Sequence, residues 1–147
     1  TLSSKTGTLA PIPVTLPING SNVNVNLLVD YIFTSVSGQT LPTYTPPLPN
    51  SGTATPTYTD VKEVFFVLNL KIMAQYNVGG FPLTIPVLNP QPQNVIVSTS
   101  YYAKNKGVVF TQTITNFTFA NAPGGTSPIA APVTILQREY LDIFLNN

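Results

Sequence analysis
The chain has 147 residues, six of them Lys or Arg and five Asp or Glu, and it contains no His, Cys or Trp. That composition excludes imidazole general bases, thiolate nucleophiles, disulfides and metal sites built on His or Cys. Charged residues are 7% of the total, against a norm of about 25%, and the net charge of +1 comes with no basic stripe for nucleic acid. A surface covered by Thr, Ser, Asn, Gln and Tyr has little charge repulsion to hold copies apart. The length fits one domain over 1–147. No run of about 18 apolar residues exists, so no transmembrane helix is expected.

Fifteen prolines spread through the chain work against long helices. Between them lie segments rich in Val, Ile, Thr, Tyr and Phe, which suit pleated strands. Leu9–Leu16 (LAPIPVTL) is an edge strand or part of an extended arm covering residues 1–17, because Pro donates nothing to a sheet ladder. Ile18-Asn19-Gly20-Ser21 is a turn signal. Val23, Val25, Leu27 and Val29 then alternate with Asn22, Asn24, Asn26 and Leu28, which predicts a strand with one buried and one wet face. Residues 37–60 form a long Pro-rich stretch with Tyr44 and Tyr58. It reads either as a surface loop or as a contact loop laid on a neighbouring subunit.

Val61–Met73 (VKEVFFVLNLKIM) is apolar on both alternating sets, which predicts a central strand covered on both sides. Gly79-Gly80 breaks the chain before Phe81–Leu88, an edge-type strand interrupted by Pro82 and Pro86. Asn89-Pro90-Gln91-Pro92 is a turn, Asn94–Tyr102 a further strand, and Asn105-Lys106-Gly107 a hairpin signal. A Thr-rich strand over Val108–Ala120, a small-residue loop over Asn121–Pro132 and a last segment, Val133–Leu145, that reads as one long strand or a bent pair complete the chain. The expected fold is all-β, a single jelly roll or related β-sandwich of seven to eight mainly antiparallel strands.

Little chemistry is legible. The five carboxylates, Asp30, Asp60, Glu63, Glu139 and Asp142, show no spacing that favours the paired carboxyls of a glycosidase. No calcium-loop motif is present, which leaves only an oxygen-ligand site on Asp30 or Asp60 with backbone carbonyls. The glycines form no phosphate-cradling pattern, and no cofactor is expected. Asn19-Gly20-Ser21 and Asn116-Phe117-Thr118 match the glycosylation acceptor pattern at Asn19 and Asn116. Arg138 and Glu139 are adjacent on a strand, so they point to opposite faces and serve as solvent or inter-subunit contacts. Tyr101 and Tyr102 likewise divide between the faces, one ring for the core and one for an interface or a carbohydrate platform.

Gly80–Ser100 (GFPLTIPVLNPQPQNVIVSTS), the preceding VFFVLN of Val64–Asn69 and the closing TILQREYLDIFLNN are similar to segments of known proteins. They resemble the small single-jelly-roll vertex (penton) and minor capsid proteins of tailless, membrane-containing bacterial and archaeal viruses. The resemblance implies a structural role in a virion, with five copies closing a vertex and touching a major capsid protein or spike. The rival expectation is a secreted, cell-surface filament subunit joined by strand donation, with Leu9, Ile12, Val14 and Leu16 as the donated apolar residues. A carbohydrate-binding or adhesive module is the third. Under the first two readings the partners are copies of the chain itself, and the interface candidates are those four residues with Tyr44, Tyr58, Arg138 and Glu139.

Overall fold
The computed structural model describes residues 1–18, 20–52 and 54–141. The chain is all-β: eight antiparallel strands form one open sheet, with no helix among the described residues. The strands are β1 (Leu2–Thr8), β2 (Ile12–Ile18), β3 (Ser21–Tyr44), β4 (Tyr58–Val78), β5 (Phe81–Pro86), β6 (Gln93–Ala103), β7 (Gly107–Phe117) and β8 (Val133–Tyr140). This bears out the expected class of mainly antiparallel strands.

A long hairpin of β3 and β4 is the spine, paired from Asn26↔Gln75 to Tyr44↔Tyr58. β2 and β1 lie in succession along the outer side of β3, against Ser21–Leu27 and Asp30–Val36 respectively. β5 and β6 share the outer side of β4 in the same way. One half of the sheet therefore has four strands (β2-β3-β4-β5), and the other has six in the order β1-β3-β4-β6-β7-β8.

The hairpin turns follow from residues that tolerate positive φ: Gly79 and Gly80 between β4 and β5, and Asn105 (φ 61°) with Gly107 between β6 and β7. The Asn89-Pro90 and Gln91-Pro92 bonds in the β5–β6 connection are both cis. Gly7 is required by a close approach: a Cβ there would collide with the Tyr31 ring, which lies across β1. The tip of the long hairpin departs from the expected loop over 37–60. Ser37–Tyr44 and Tyr58–Asp60 are strand, so the loop is residues 45–57. Its Pro and Ser content reads as irregular chain, yet a register shift between Ser37 and Thr40 lets the ladder continue past Gly38.

Two small cores sit on opposite faces at opposite ends. In the four-stranded half, Ile18, Val25, Ala74 and Val87 are buried together with Val14, Leu16, Ile72 and Phe119 packed around them. This face carries the alternating valines of β3, while Asn22, Asn24 and Asn26 stand exposed on the other. The connection after β5 covers it: Val87 N donates to Ile72 O (2.9 Å), and Ala120 N donates to Val87 O (2.8 Å). Leu88, completely enclosed, pairs with Phe119. In the six-stranded half, Val61 (0% exposed), Ala103 and Val109 are buried under Leu41, Tyr44 and Tyr58. Asp60 takes a positive φ (52°), a break in the pleat of β4, and beyond it the hairpin tip meets the strands beside it.

Between these ends the sheet is a single layer. Strands make substantial contacts only with their hydrogen-bonded neighbours. The expectation that Val61–Met73 is covered on both sides is corrected here. β4 is central in the ladder, but Phe65 remains 37% exposed because no second layer of the described residues lies over it.

Candidate functional site
The register sorts the side chains of the six-stranded half onto two faces. Val67, Val97, Ile114 and Leu136 stand side by side across β4, β6, β7 and β8, and Leu2, Val36 and Phe65 form a second row across β1, β3 and β4. These rows lie on one face, and much of their apolar surface is open: Val97 is 38%, Ile114 39%, Leu136 54% and Leu2 69% exposed. The opposite face leaves Phe33 and Ile135 exposed. Scattered apolar residues on a surface are ordinary, whereas rows contiguous across several strands mark an interaction face.

The surface area makes the same point. A compact monomer of this mass, 15.8 kDa, exposes about 7,300 Å², whereas this chain exposes 9494 Å².

At the end of the same face, aromatic rings close over the second core. Tyr44 stacks on Tyr101 with centroids 3.9 Å apart and planes 7° from parallel, and Phe110 and Tyr140 extend the cluster at 5.0 Å from each other. Tyr101 Oη donates to Glu63 Oε1 at 3.1 Å. Burial first, then the neighbouring Tyr101, raises the Tyr44 phenol above its ordinary value. Burial first, then the Glu63 carboxylate, raises Tyr101 as well. Both phenols stay neutral longer in the fold than in the unfolded chain. Their stabilisation is therefore complete below the ordinary tyrosine value of 10.0 and is lost as pH rises beyond it. Thermal unfolding followed by circular dichroism is expected to weaken steeply above about pH 10, and the Tyr44→Phe/Tyr101→Phe variant is expected to flatten that decline.

The sequence-selected residues fall in three places. Leu9 and Ile12 are exposed beside and within the first two strands, whereas Val14 and Leu16 pack on the first core. β1 and β2 are both hydrogen-bonded along β3 of their own chain. Tyr44 and Tyr58 belong to the second core. Residues 45–52 and 54–57 fold back on their own sheet. The Thr45 and Thr57 hydroxyls hydrogen-bond at 2.6 Å, and Asn50 shares a cavity of about 340 Å³ with Leu136, Arg138 and Tyr140. Arg138 and Glu139 lie exposed on the edge strand β8 and do not pair: Arg138 Nε donates to Gln112 Oε1 (3.3 Å), and Gln137 Nε2 donates to Glu139 Oε1 (2.7 Å).

Asn116 is exposed near the end of β7 and accepts a hydrogen bond from Thr134. Asn19 and Asp142 lie outside the described residues. Asp30 accepts from Thr8 Oγ1 (2.7 Å), and Asp60 is 4.0 Å from Lys104 in an exposed ion pair. Among the described residues, no three carboxylates gather into a cation site. No helix of the described residues is long and apolar enough to cross a membrane.

A second concavity, about 420 Å³, lies in the four-stranded half. Asn24, Asn26, Gln75 and Asn77 line it beside Pro13 and Thr15, and Thr15 donates to Asn24 at 2.8 Å. It offers amide donors and acceptors, and Tyr76 is the one titratable side chain in its lining.

The open apolar rows were missed in the sequence. Their apolar residues read as interior, and only the count of available covering layers shows that they are not. Compared with family models, curated proteins and solved structures, the chain matches none. The fold and surface define an all-β, single-sheet protein whose largest unusual feature is a face without a cover.

Proposed function
We propose that the protein is a non-enzymatic structural subunit that assembles with copies of itself, as a vertex or minor capsid protein of a virion. The observation that carries this reading is the single-layer middle of the sheet. Stable domains bury a sheet against a second layer, and the described residues supply one only at the two ends of this sheet. The surplus surface, about 2,200 Å² beyond a compact monomer, exceeds the roughly 800 Å² per partner of a standard stable interface. With few charges to repel its copies, apolar contact between them meets little electrostatic opposition. The virion as setting, and a major capsid protein or spike as a further partner, rest on the resemblance carried by Gly80–Ser100.

One observation favours a secreted filament subunit as the second reading. The six-stranded half has an open edge at each side, β1 and β8, and two different edges that pair head to tail generate open-ended polymers unless the rotation closes. Electron microscopy of the purified protein separates the two. Pentameric rings or closed shells are expected for the capsid reading, and unbranched fibres support the filament. Isolated monomers at high concentration would contradict both.

A further inference from the structure
We propose that β8 of one copy adds to the β1 edge of the next, antiparallel, with Glu139 opposite Lys5. This deepens the reading of the chain as a self-assembling subunit and rests on it.

The four outer strands are not alike. β2 carries Pro13 and Pro17 and β5 carries Pro82 and Pro86, the residue type that blunts sheet edges. β1 (LSSKTGT) and β8 (VTILQREY) contain none. Both are exposed along nearly their whole length, and they are seven and eight residues long. Their outward backbone groups also match. Ser37 N donates to Thr1 O and Leu9 N to Val29 O, so the odd-numbered residues of β1 bond inward to β3. Leu2, Ser4, Thr6 and Thr8 therefore turn N–H and C=O outward. Leu141 N donates to Val109 O, so by the same alternation Thr134, Leu136, Arg138 and Tyr140 of β8 face outward. With six antiparallel strands across, β8 runs opposite to β1, so a translated copy presents an antiparallel partner.

Side chains select the register. Lys5 and Glu139 project on the same face of the sheet. Among the described residues the one ion pair is Lys104–Asp60, so neither Lys5 nor Glu139 has a charged partner among them. Setting Glu139 opposite Lys5 places Arg138 opposite Thr6 and Tyr140 opposite Ser4, both pairs with outward backbone groups. It also brings Ile135 opposite Leu9, and both are exposed apolar residues. Lys5 and Glu139 then form a non-hydrogen-bonded pair, the closer kind across a ladder.

Two sets of variants test this. Lys5→Glu and Glu139→Lys, each alone, are expected to weaken association about fivefold by light scattering, and the combined variant is expected to restore it. Both sites are exposed, and circular dichroism of each variant verifies the fold. In the Lys5→Cys/Glu139→Cys variant, oxidation is expected to give a ladder of disulfide-linked multimers, whereas each single-cysteine variant stops at dimers. The two positions in one chain are separated by five strand spacings, about 24 Å, too far for a bridge within the monomer. Multimers in light scattering with no ladder and no response to charge reversal would overturn the edge pairing while leaving self-assembly standing. Monomers alone, with no ladder, would overturn both.

Discussion
The Val97→Lys/Ile114→Glu variant is expected to remain a folded monomer and to lose assembly. The two residues face each other across β6 and β7 in the open apolar row. Each is already more than a third exposed, so the new charged heads reach water in the isolated chain. Opposite charges directly across a ladder also support the pairing, by roughly 0.2–1 kcal/mol. Once a neighbour covers this face, both charges must give up their water, at a cost of several kcal/mol per ion that is only partly offset by their mutual attraction. A net loss of about 3 kcal/mol corresponds to roughly a hundredfold weaker association. Sedimentation velocity is the measurement. A variant that assembles as tightly as the parent would show that this face is not the one covered.

The second large effect concerns the fold itself. Leu88→Ala is expected to lower stability by about 2–5 kcal/mol, through lost transfer energy and the cavity left behind. Leu88 is among the most enclosed side chains of the molecule. The backbone around it is tied to the segment after β7, with Asn89 N donating to Thr118 O and Ala120 N to Val87 O. That strap holds the one cover over the first core, so little freedom exists for collapse around the missing atoms. A natural domain has only about 5–15 kcal/mol in total, so the change removes a large share. Urea denaturation under dissociating conditions reads it as a lowered midpoint at unchanged slope. A loss under about 1 kcal/mol would mean that the strap repacks freely.

Much of the strand pattern was legible from local chemistry. The Asn–Val alternation of Asn22–Val29 gave the correct buried and wet sides, because period two is a property of the backbone alone. Asn105 and Gly107 marked a hairpin by tolerating positive φ. Strand length was less legible. Ser37 and Gly38 look like loop residues, and they are held in β3 because Ser37 and, past the bulge, Thr40 pair with β4, a partner distant in sequence. Tyr44 looked like a loop contact for a neighbour, yet it stacks on Tyr101, more than fifty positions away. The candidate surface was the least legible part. Phe65, Val97 and Ile114 have the composition of an interior, and no local pattern tells whether the covering layer comes from the same chain.

We propose that this sheet is incomplete as a single chain and is completed by copies of itself. Its most direct test is the mass in solution, measured together with the melting temperature over a wide range of protein concentration. Self-assembly predicts a mass above 15.8 kDa that falls on dilution, and a melting temperature that falls with it, because association stabilises the fold by mass action. A constant mass of 15.8 kDa with a melting temperature independent of concentration would contradict it.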